Sequence, residues 1–385
     1  MQGRSPLLAV CGTRPEVVKL APVIQALRRR GHRVVLAMTG QHPDMAPQML
    51  REIGLQPDID LGACAPGMAP AQQLSSVLGR LGPVFAAWRP QMAIVQGDTV
   101  STLAGALAAA YARVPVAHVE AGLRTHDFDE PHPEELHRTL VTPIASLHFA
   151  PTRHAAAALR REGVDPGRIH VTGNSGIDAL LATAERLDSD PALGADLAFR
   201  YPYIAAPRRP LLLVTVHRRE NIGRRLQAIA AALARLAGFC EAEIVLPLHP
   251  NPAVQQVLRE KLDGLDGVHL IPAVDHVSMV WMMLRARVLL TDSGGLQEEA
   301  PALGLRTLVL RQTTERSEAL AAGAAELVEL KSDSIVSAVR RNLLRKRLRP
   351  VMPFGDGHAS GRIAAVIDDW LGYSPGACRE VTLAP

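Results

Sequence analysis

Aromatic residues are nearly missing from this chain: 3 Trp, 4 Tyr and 6 Phe make up 3% of its 385 residues. Stacking platforms for nucleic-acid bases are correspondingly few, and no nucleic-acid partner is expected. Cysteine is scarce as well. Cys11, Cys64, Cys240 and Cys378 lie far apart, with no C-x-x-C pair. That argues against zinc ribbons and a disulfide framework, and points to a reducing, cytoplasmic setting. No run approaches about 20 uninterrupted apolar residues. The opening PLLAVCGTRPE has neither a basic leader nor a long apolar stretch, so neither a membrane span nor a signal peptide is expected. Charge of one sign is also lacking: 42 Lys and Arg against 38 Asp and Glu leave +4. This suits an anionic small molecule without selecting one. The one basic run, RRNLLRKRLR (340–349), reads as the solvated face of an amphipathic helix built on Val336, Val339 and Leu343.

What is present is core-forming material. Hydrophobic residues are 48% and charged residues 21%, and the length exceeds one ordinary core, so two domains are expected. Short apolar runs (PLLAVC, RVVLAM, MAIVQ, PVAHV, LHFA, RIHVT, LLLVTV, EIVLPL, RVLLT and TLVL) alternate with stretches of helical spacing. Such alternation predicts parallel sheets covered by helices on both faces. The polar, Pro-rich stretch at 186–210 reads as a surface excursion near a boundary. The expectation is two Rossmann-like domains meeting near residues 172–180, with a central cleft.

The polar motifs recur at the carboxyl ends of these strands, where open α/β sheets bind ligands. GTRPE follows the first strand, placing Gly12 at a turn and Pro15 at a helix start. Free backbone N–H groups there would accept an anion, helped by Arg14 and Lys19. No P-loop spacing occurs. In TDSGGLQEE, Ser293, Gly294 and Gly295 bring bare amides to a helix start, suited to a phosphate, with Ser293 as the cap. Glu298 and Glu299 follow in the first turns, where a ribose diol is the natural partner. His217, in TVHRREN, ends a strand beside Arg218 and Arg219.

The stretch HVEAGLRTHDFDEPHPEELHR (118–138) concentrates six carboxylates and four histidines. Metal binding is one reading, but neither a P-C-x-x-C partner nor an H-E-x-x-H spacing accompanies it. His118 sits in an apolar run and reads as a core residue. The stronger reading is acid–base chemistry, with Asp98, Glu120 and Glu134 clustered at adjacent strand ends.

These motifs in order, from GTRPEVVKLAPVIQAL, GDTVSTLAGALAAAY, VPVAHVEAGLRT and PEELHRTL through VTGNSGIDAL, HRREN, LPLHPNP, TDSGGLQEEAPALG and TTERSEALAAG, resemble those of the non-hydrolysing UDP-N-acetylglucosamine 2-epimerases. The resemblance covers nearly the whole chain. It implies a glycosyltransferase-B-like fold, with residues 1–174 and a returning helix at about 361–378 as the sugar side and 175–360 as the UDP side. It implies catalytic roles for Asp98, Glu120, Glu134 and His217. Substrate contacts would come from Arg14, Lys19, Ser293, Gly294, Gly295, Glu299 and Arg316. Gln41, His42, Arg218 and His249 resemble parts of an effector pocket for a second UDP-N-acetylglucosamine. No metal or redox cofactor is implied, and family members are usually homodimers. Val274 and Met279 stand where the family often carries a glutamine and an aromatic. Rival readings are a hydrolysing epimerase, an epimerase of a diacetamido-uronic sugar nucleotide, a glycosyltransferase, and a sugar-nucleotide sensor without activity.

Overall fold

The structure, a computed structural model, describes residues 5–373 apart from Pro43, Asp44, Pro66, Arg219, Glu220 and Pro250. Arg219, Cys378 and the end of the 361–378 segment therefore lie outside the described residues. The chain divides into two compact units. One runs to Ala179 and resumes at Gly355; the other spans Leu180–Phe354.

The first unit is built on seven parallel strands: β1 (Leu7–Cys11), β2 (Val34–Met38), β3 (Ile59–Asp60), β4 (Met92–Gln96), β5 (Val116–Val119), β6 (Leu147–Ala150) and β7 (Ile169–Val171). Their order is β3-β2-β1-β4-β5-β6-β7. The run LLAVC explains why β1 is central. Leu7, Ala9 and Cys11 enter the core on one face of the sheet, Leu8 and Val10 that on the other. The second unit has six parallel strands: β8 (Leu211–Thr215), β9 (Glu243–Pro247), β10 (Val268–Ile271), β11 (Val288–Thr291), β12 (Arg306–Val309) and β13 (Ala325–Leu327), in the order β10-β9-β8-β11-β12-β13. Each sheet reverses its winding at one place, between β1 and β4 and between β8 and β11. Loops diverge there and leave room for a ligand.

All ten expected strands are present. The three that apolar runs did not reveal, β3, β10 and β13, are sheet edges. An edge strand is covered less completely, so its sequence need not be continuously apolar. The 186–210 stretch lies largely at the surface near the boundary between the units, as expected, and is largely helical, in Ser175–Ser189, Pro191–Arg200 and Pro202–Ala205. Pro191 and Pro202 open their helices, where a missing N–H costs nothing. Asp190 caps the second of these by accepting from the N–H of Leu193 at 3.1 Å. The basic run is helical only to Leu343, and Val336, Val339 and Leu343 are its buried face. Beyond it, Arg347 donates to the carbonyls of Ala286 at 3.0 Å and Leu303 at 2.8 Å.

The helix Ala359–Trp370 returns to the first unit and lays Ile363, Ala364 and Ile367 into the core beside the helix Arg14–Arg29. Asp178 accepts from its first two amides, Ala359 at 3.1 Å and Ser360 at 2.7 Å, satisfying donors that a helix start leaves unpaired. Gly355, at φ +138°, lies against Asn174; a Cβ there would stand 3.1 Å from the Asn174 nitrogen.

His118 on β5 and His148 on β6 are partners in strand register, and both are buried. Burial pushes each imidazole down to about 4. The native rings therefore stay neutral down to that pH, whereas unfolded histidines take up protons near pH 6.5. Stability is expected to fall as pH drops through that window, by about 3 kcal/mol per histidine when complete. Urea unfolding against pH checks this. His148→Phe should reduce the slope, and an unchanged slope would contradict the assignment.

Candidate functional site

In the first unit the site residues come from the ends of β1, β4 and β5. Gly12 is required by packing, since a Cβ would lie 1.9 Å from Thr39 Oγ1 and 2.3 Å from Ser101 Oγ. The expected anion cradle is corrected here. Glu16 Oε2 accepts from the Gly12 amide at 3.0 Å and the Thr13 amide at 2.8 Å. These N–H groups already face a carboxylate. Thr99 Oγ1 donates to the other oxygen of Glu16 at 2.7 Å, so this one side chain ties the loop after β1 to the loop carrying Asp98. Burial raises the Glu16 carboxyl above its ordinary range, against the hydrogen bonds from Thr99, Gly12 and Thr13. Arg14 stands half-buried at the first position of the helix Arg14–Arg29.

Three donors meet on Glu120 Oε2: the Lys19 ammonium, Gln96 Nε2 at 2.9 Å and Asn174 Nδ2 at 3.4 Å. Lys19, expected to contact the diphosphate or the sugar, is paired here with a carboxylate. Glu120 itself has φ +64°, a left-handed conformation in which a residue with a side chain is strained. Such strain persists only where the surroundings enforce it, commonly at functional sites. Asp98 pairs with the buried Arg138, whose guanidinium also lies 3.3 Å from Glu135 Oε2. Burial alone would lower the Arg138 pKa, but Asp98, Glu135 and Glu120 together hold it above its ordinary value. His137 Nδ1 donates to the Asp98 carbonyl at 2.9 Å. Burial lowers the His137 pKa, and nearby Asp98 and Glu134 oppose that shift. Asp98 touches both Arg138 and His137, while Glu120 acts electrostatically on Arg138 and Glu134 on His137; sequence reasoning missed these two basic residues. Their signal was their place on the helix Glu134–Val141, three and four residues after Glu134.

The rest of the 118–138 stretch divides clearly. Asp127, Asp129 and Glu130 are exposed, whereas His118 is buried and its Nε2 donates to the Gly97 carbonyl at 2.7 Å. Gln41 Oε1 accepts from the Ser101 amide at 3.0 Å and hydroxyl at 2.7 Å, and His42 is exposed beside it.

In the second unit His217 follows β8 and Asp292 follows β11. The two strand ends are joined by Thr215 Oγ1 and Thr291 Oγ1 at 2.6 Å. Asp292 is buried and accepts from His217 Nδ1 at 2.8 Å, the His217 amide at 3.0 Å, the Arg218 amide at 2.9 Å and Asn221 Nδ2 at 2.9 Å. Burial pushes the Asp292 carboxyl up, but the hydrogen bonds from His217, Arg218 and Asn221 prevail and hold it below its ordinary value. With Nδ1 committed to the Asp292 carboxylate, Nε2 is the ring nitrogen that Asp292 does not engage. The His249 ring lies 6.1 Å from that of His217. Asp292 was invisible in sequence, because 75 residues separate it from His217.

Ser293 does not cap the helix Gly294–Ala302 through its side chain, correcting that expectation; its amide donates to Thr291 Oγ1 at 2.9 Å. Gly294 is needed because Arg316 lies over it: a Cβ would stand 2.9 Å from the Arg316 Cζ. Arg316 is itself held by Glu298, 2.8 Å from its Nε, and by Glu315, which also pairs with Arg311 at 2.9 Å. Glu298 is therefore committed inside the protein, while Glu299 is half-buried beside Gly295.

Two doubly wound parallel sheets, each with polar loops at its switch point, define a glycosyltransferase-B-like α/β protein. The sequence profile of the family described as UDP-N-acetylglucosamine 2-epimerase matches residues 25–368, and the chain belongs to that family. It is 41% identical to the UDP-N-acetylglucosamine 2-epimerase of Salmonella typhimurium over 94% of this chain and 98% of that one. With the Escherichia coli O157:H7 enzyme of that name the identity is 42%, over 93% and 96%. The UDP-GlcNAc 2-epimerase of Neisseria meningitidis, solved bound to UDP-GlcNAc, superposes with a TM-score of 0.90 at 35% identity, over 94% of this chain and 100% of that chain. The Methanocaldococcus jannaschii enzyme, in complex with UDP-GlcNAc and UDP, gives 0.82 at 31%, over 94% and 98%.

Asp292→Ala should leave two backbone amides and the His217 ring without their acceptor. A loss of about 3 kcal/mol in urea unfolding is expected. An unchanged midpoint would show that Asp292 does not organise this loop.

Proposed function

We propose that the chain catalyses reversible epimerisation at C2 of UDP-N-acetylglucosamine, giving UDP-N-acetylmannosamine. The observation that carries this reading is Glu120, in strained backbone and with three donors on one carboxylate oxygen, in a chain of this family.

C2 of the sugar is not adjacent to a carbonyl, so direct removal of its proton yields no stabilised carbanion. If the C1–O bond breaks first, UDP departs with the bonding pair and positive charge develops at C1. The C2 proton then becomes acidic, and its loss forms a glucal-like alkene. UDP re-adds to C1 as a proton reaches C2 from the opposite face. This sequence needs a group to accept a proton, a group to deliver one, and stabilisation of the departing diphosphate.

Glu120 takes the C2 proton, and Asp98 and Glu134 serve the opposite face. Arg14, Lys19, Ser293, Gly294, Gly295 and Arg316 contact the UDP-sugar, Glu299 receives the ribose hydroxyls, and His217 exchanges a proton at the diphosphate end through Nε2. Gln41, His42, Arg218 and His249 are assigned to a second UDP-N-acetylglucosamine acting as activator. Sigmoidal kinetics that become hyperbolic in His249→Ala would support that assignment, and hyperbolic wild-type kinetics would remove it. The epimerised sugar nucleotide suits polysaccharide assembly in the cytoplasm. No described helix is long and apolar enough to cross a membrane. The reading includes a homodimer.

NMR of UDP-N-acetylglucosamine with the protein in D2O tests the reaction. Both sugar nucleotides should appear, each with deuterium at C2. Free N-acetylmannosamine as the main product would establish hydrolysis instead, and no conversion or exchange would favour a sensor. Glu120→Gln should lower turnover about a hundredfold or more while UDP still binds. Unchanged turnover would remove Glu120 from the mechanism.

A further inference from the structure

Strand β4 reads MAIVQ, four apolar residues and then a buried glutamine. Packing alone gives no reason for the glutamine, because a buried amide costs free energy unless it is hydrogen-bonded. Its partner is specific. In the parallel register of β4 and β5, Gln96 lies opposite Val119, the residue before Glu120. The left-handed backbone at Glu120 then accompanies a side chain placed with Oε2 2.9 Å from Gln96 Nε2. No donor among the described residues reaches the other oxygen, Oε1.

The three donors on Oε2 differ in kind. Lys19 has a long flexible stem and a charge, so it can turn to an anionic ligand. Asn174 is the most distant, at 3.4 Å, and its own Oδ1 is engaged by the Gly176 amide at 2.8 Å. Gln96 is short, neutral and fixed at the end of a central strand. It orients the carboxylate without adding a positive charge that would weaken it as a proton acceptor.

We propose that Gln96 is the positioning residue for Glu120: it fixes Oε2, so that Oε1 is the oxygen presented to the C2 proton. This rests on the reaction proposed above. Without Gln96 the carboxylate rotates among orientations, and proton transfer slows while substrate binding does not.

Gln96→Leu and Gln96→Glu in the full chain test this through kcat, KM, UDP affinity, melting temperature and the rate of C2 deuterium incorporation. In Gln96→Leu, kcat and deuterium incorporation should fall together about tenfold to a hundredfold, with KM and UDP affinity within about threefold of wild type. Gln96→Glu places a second carboxylate beside Glu120, and like charges resist joint ionisation. The acid limb of its kcat–pH profile should move upward by about one unit, with activity returning at higher pH. A role confined to stability would lower the melting temperature without moving that limb. Unchanged kcat in the Leu variant, or an unmoved acid limb in the Glu variant, would overturn the proposal. If wild-type protein exchanges no C2 proton, the proposed reaction itself fails, and this assignment with it.

Discussion

The three donors on Glu120 Oε2 come from three distant parts of the chain: Lys19 on the first helix, Gln96 at the end of β4 and Asn174 just after β7. They meet because the sheet order places β4 between β1 and β5 and so opens a switch point beside Glu120. The first helix is held in turn by Glu16 at its start and by the returning helix packed along its side. Ser175 Oγ donates to the Lys19 carbonyl at 2.7 Å, so the segment after β7 touches both partners of the Lys19–Glu120 pair. Much of the first unit thus converges on one carboxylate.

The same economy of charge appears in the second unit. Arg311, Glu315, Arg316 and Glu298 form a buried alternating row, and Asp292 collects N–H groups around His217. Buried ion pairs contribute little net stability, because desolvation offsets their attraction. What they supply is position. Arg316 is fixed over Gly294 and the His217 ring is held through Nδ1, whereas looser surface pairs would leave both adrift.

The readable part of the fold was its centre. Runs such as LLAVC and VLLT are buried on both sheet faces and therefore continuously apolar, while the edges β3, β10 and β13 carry no such mark. The Pro-rich 186–210 stretch did not reveal its helices, because Pro191 and Pro202 sit in first turns, where proline is tolerated, and give no helical periodicity of their own. The density of acids in 118–138 drew attention to Glu120 and Glu134, and the strand-end GDT to Asp98, the carboxylates of the proposed mechanism. GTRPE was misread because its spacing does not show where the Glu16 side chain turns. Once Glu16 takes the Gly12 and Thr13 amides, the motif is a strap between loops. Gln96 and Asp292 were illegible for a related reason: their partners are close only after strands pair.

A structure determined with UDP-N-acetylglucosamine bound tests the central claim most directly. Glu120 Oε1 should lie about 3–3.5 Å from C2 of the sugar, a near-attack distance, with Oε2 still accepting from Gln96. A sugar whose C2 meets Asp98 or Glu134 while Glu120 Oε1 points elsewhere would contradict it.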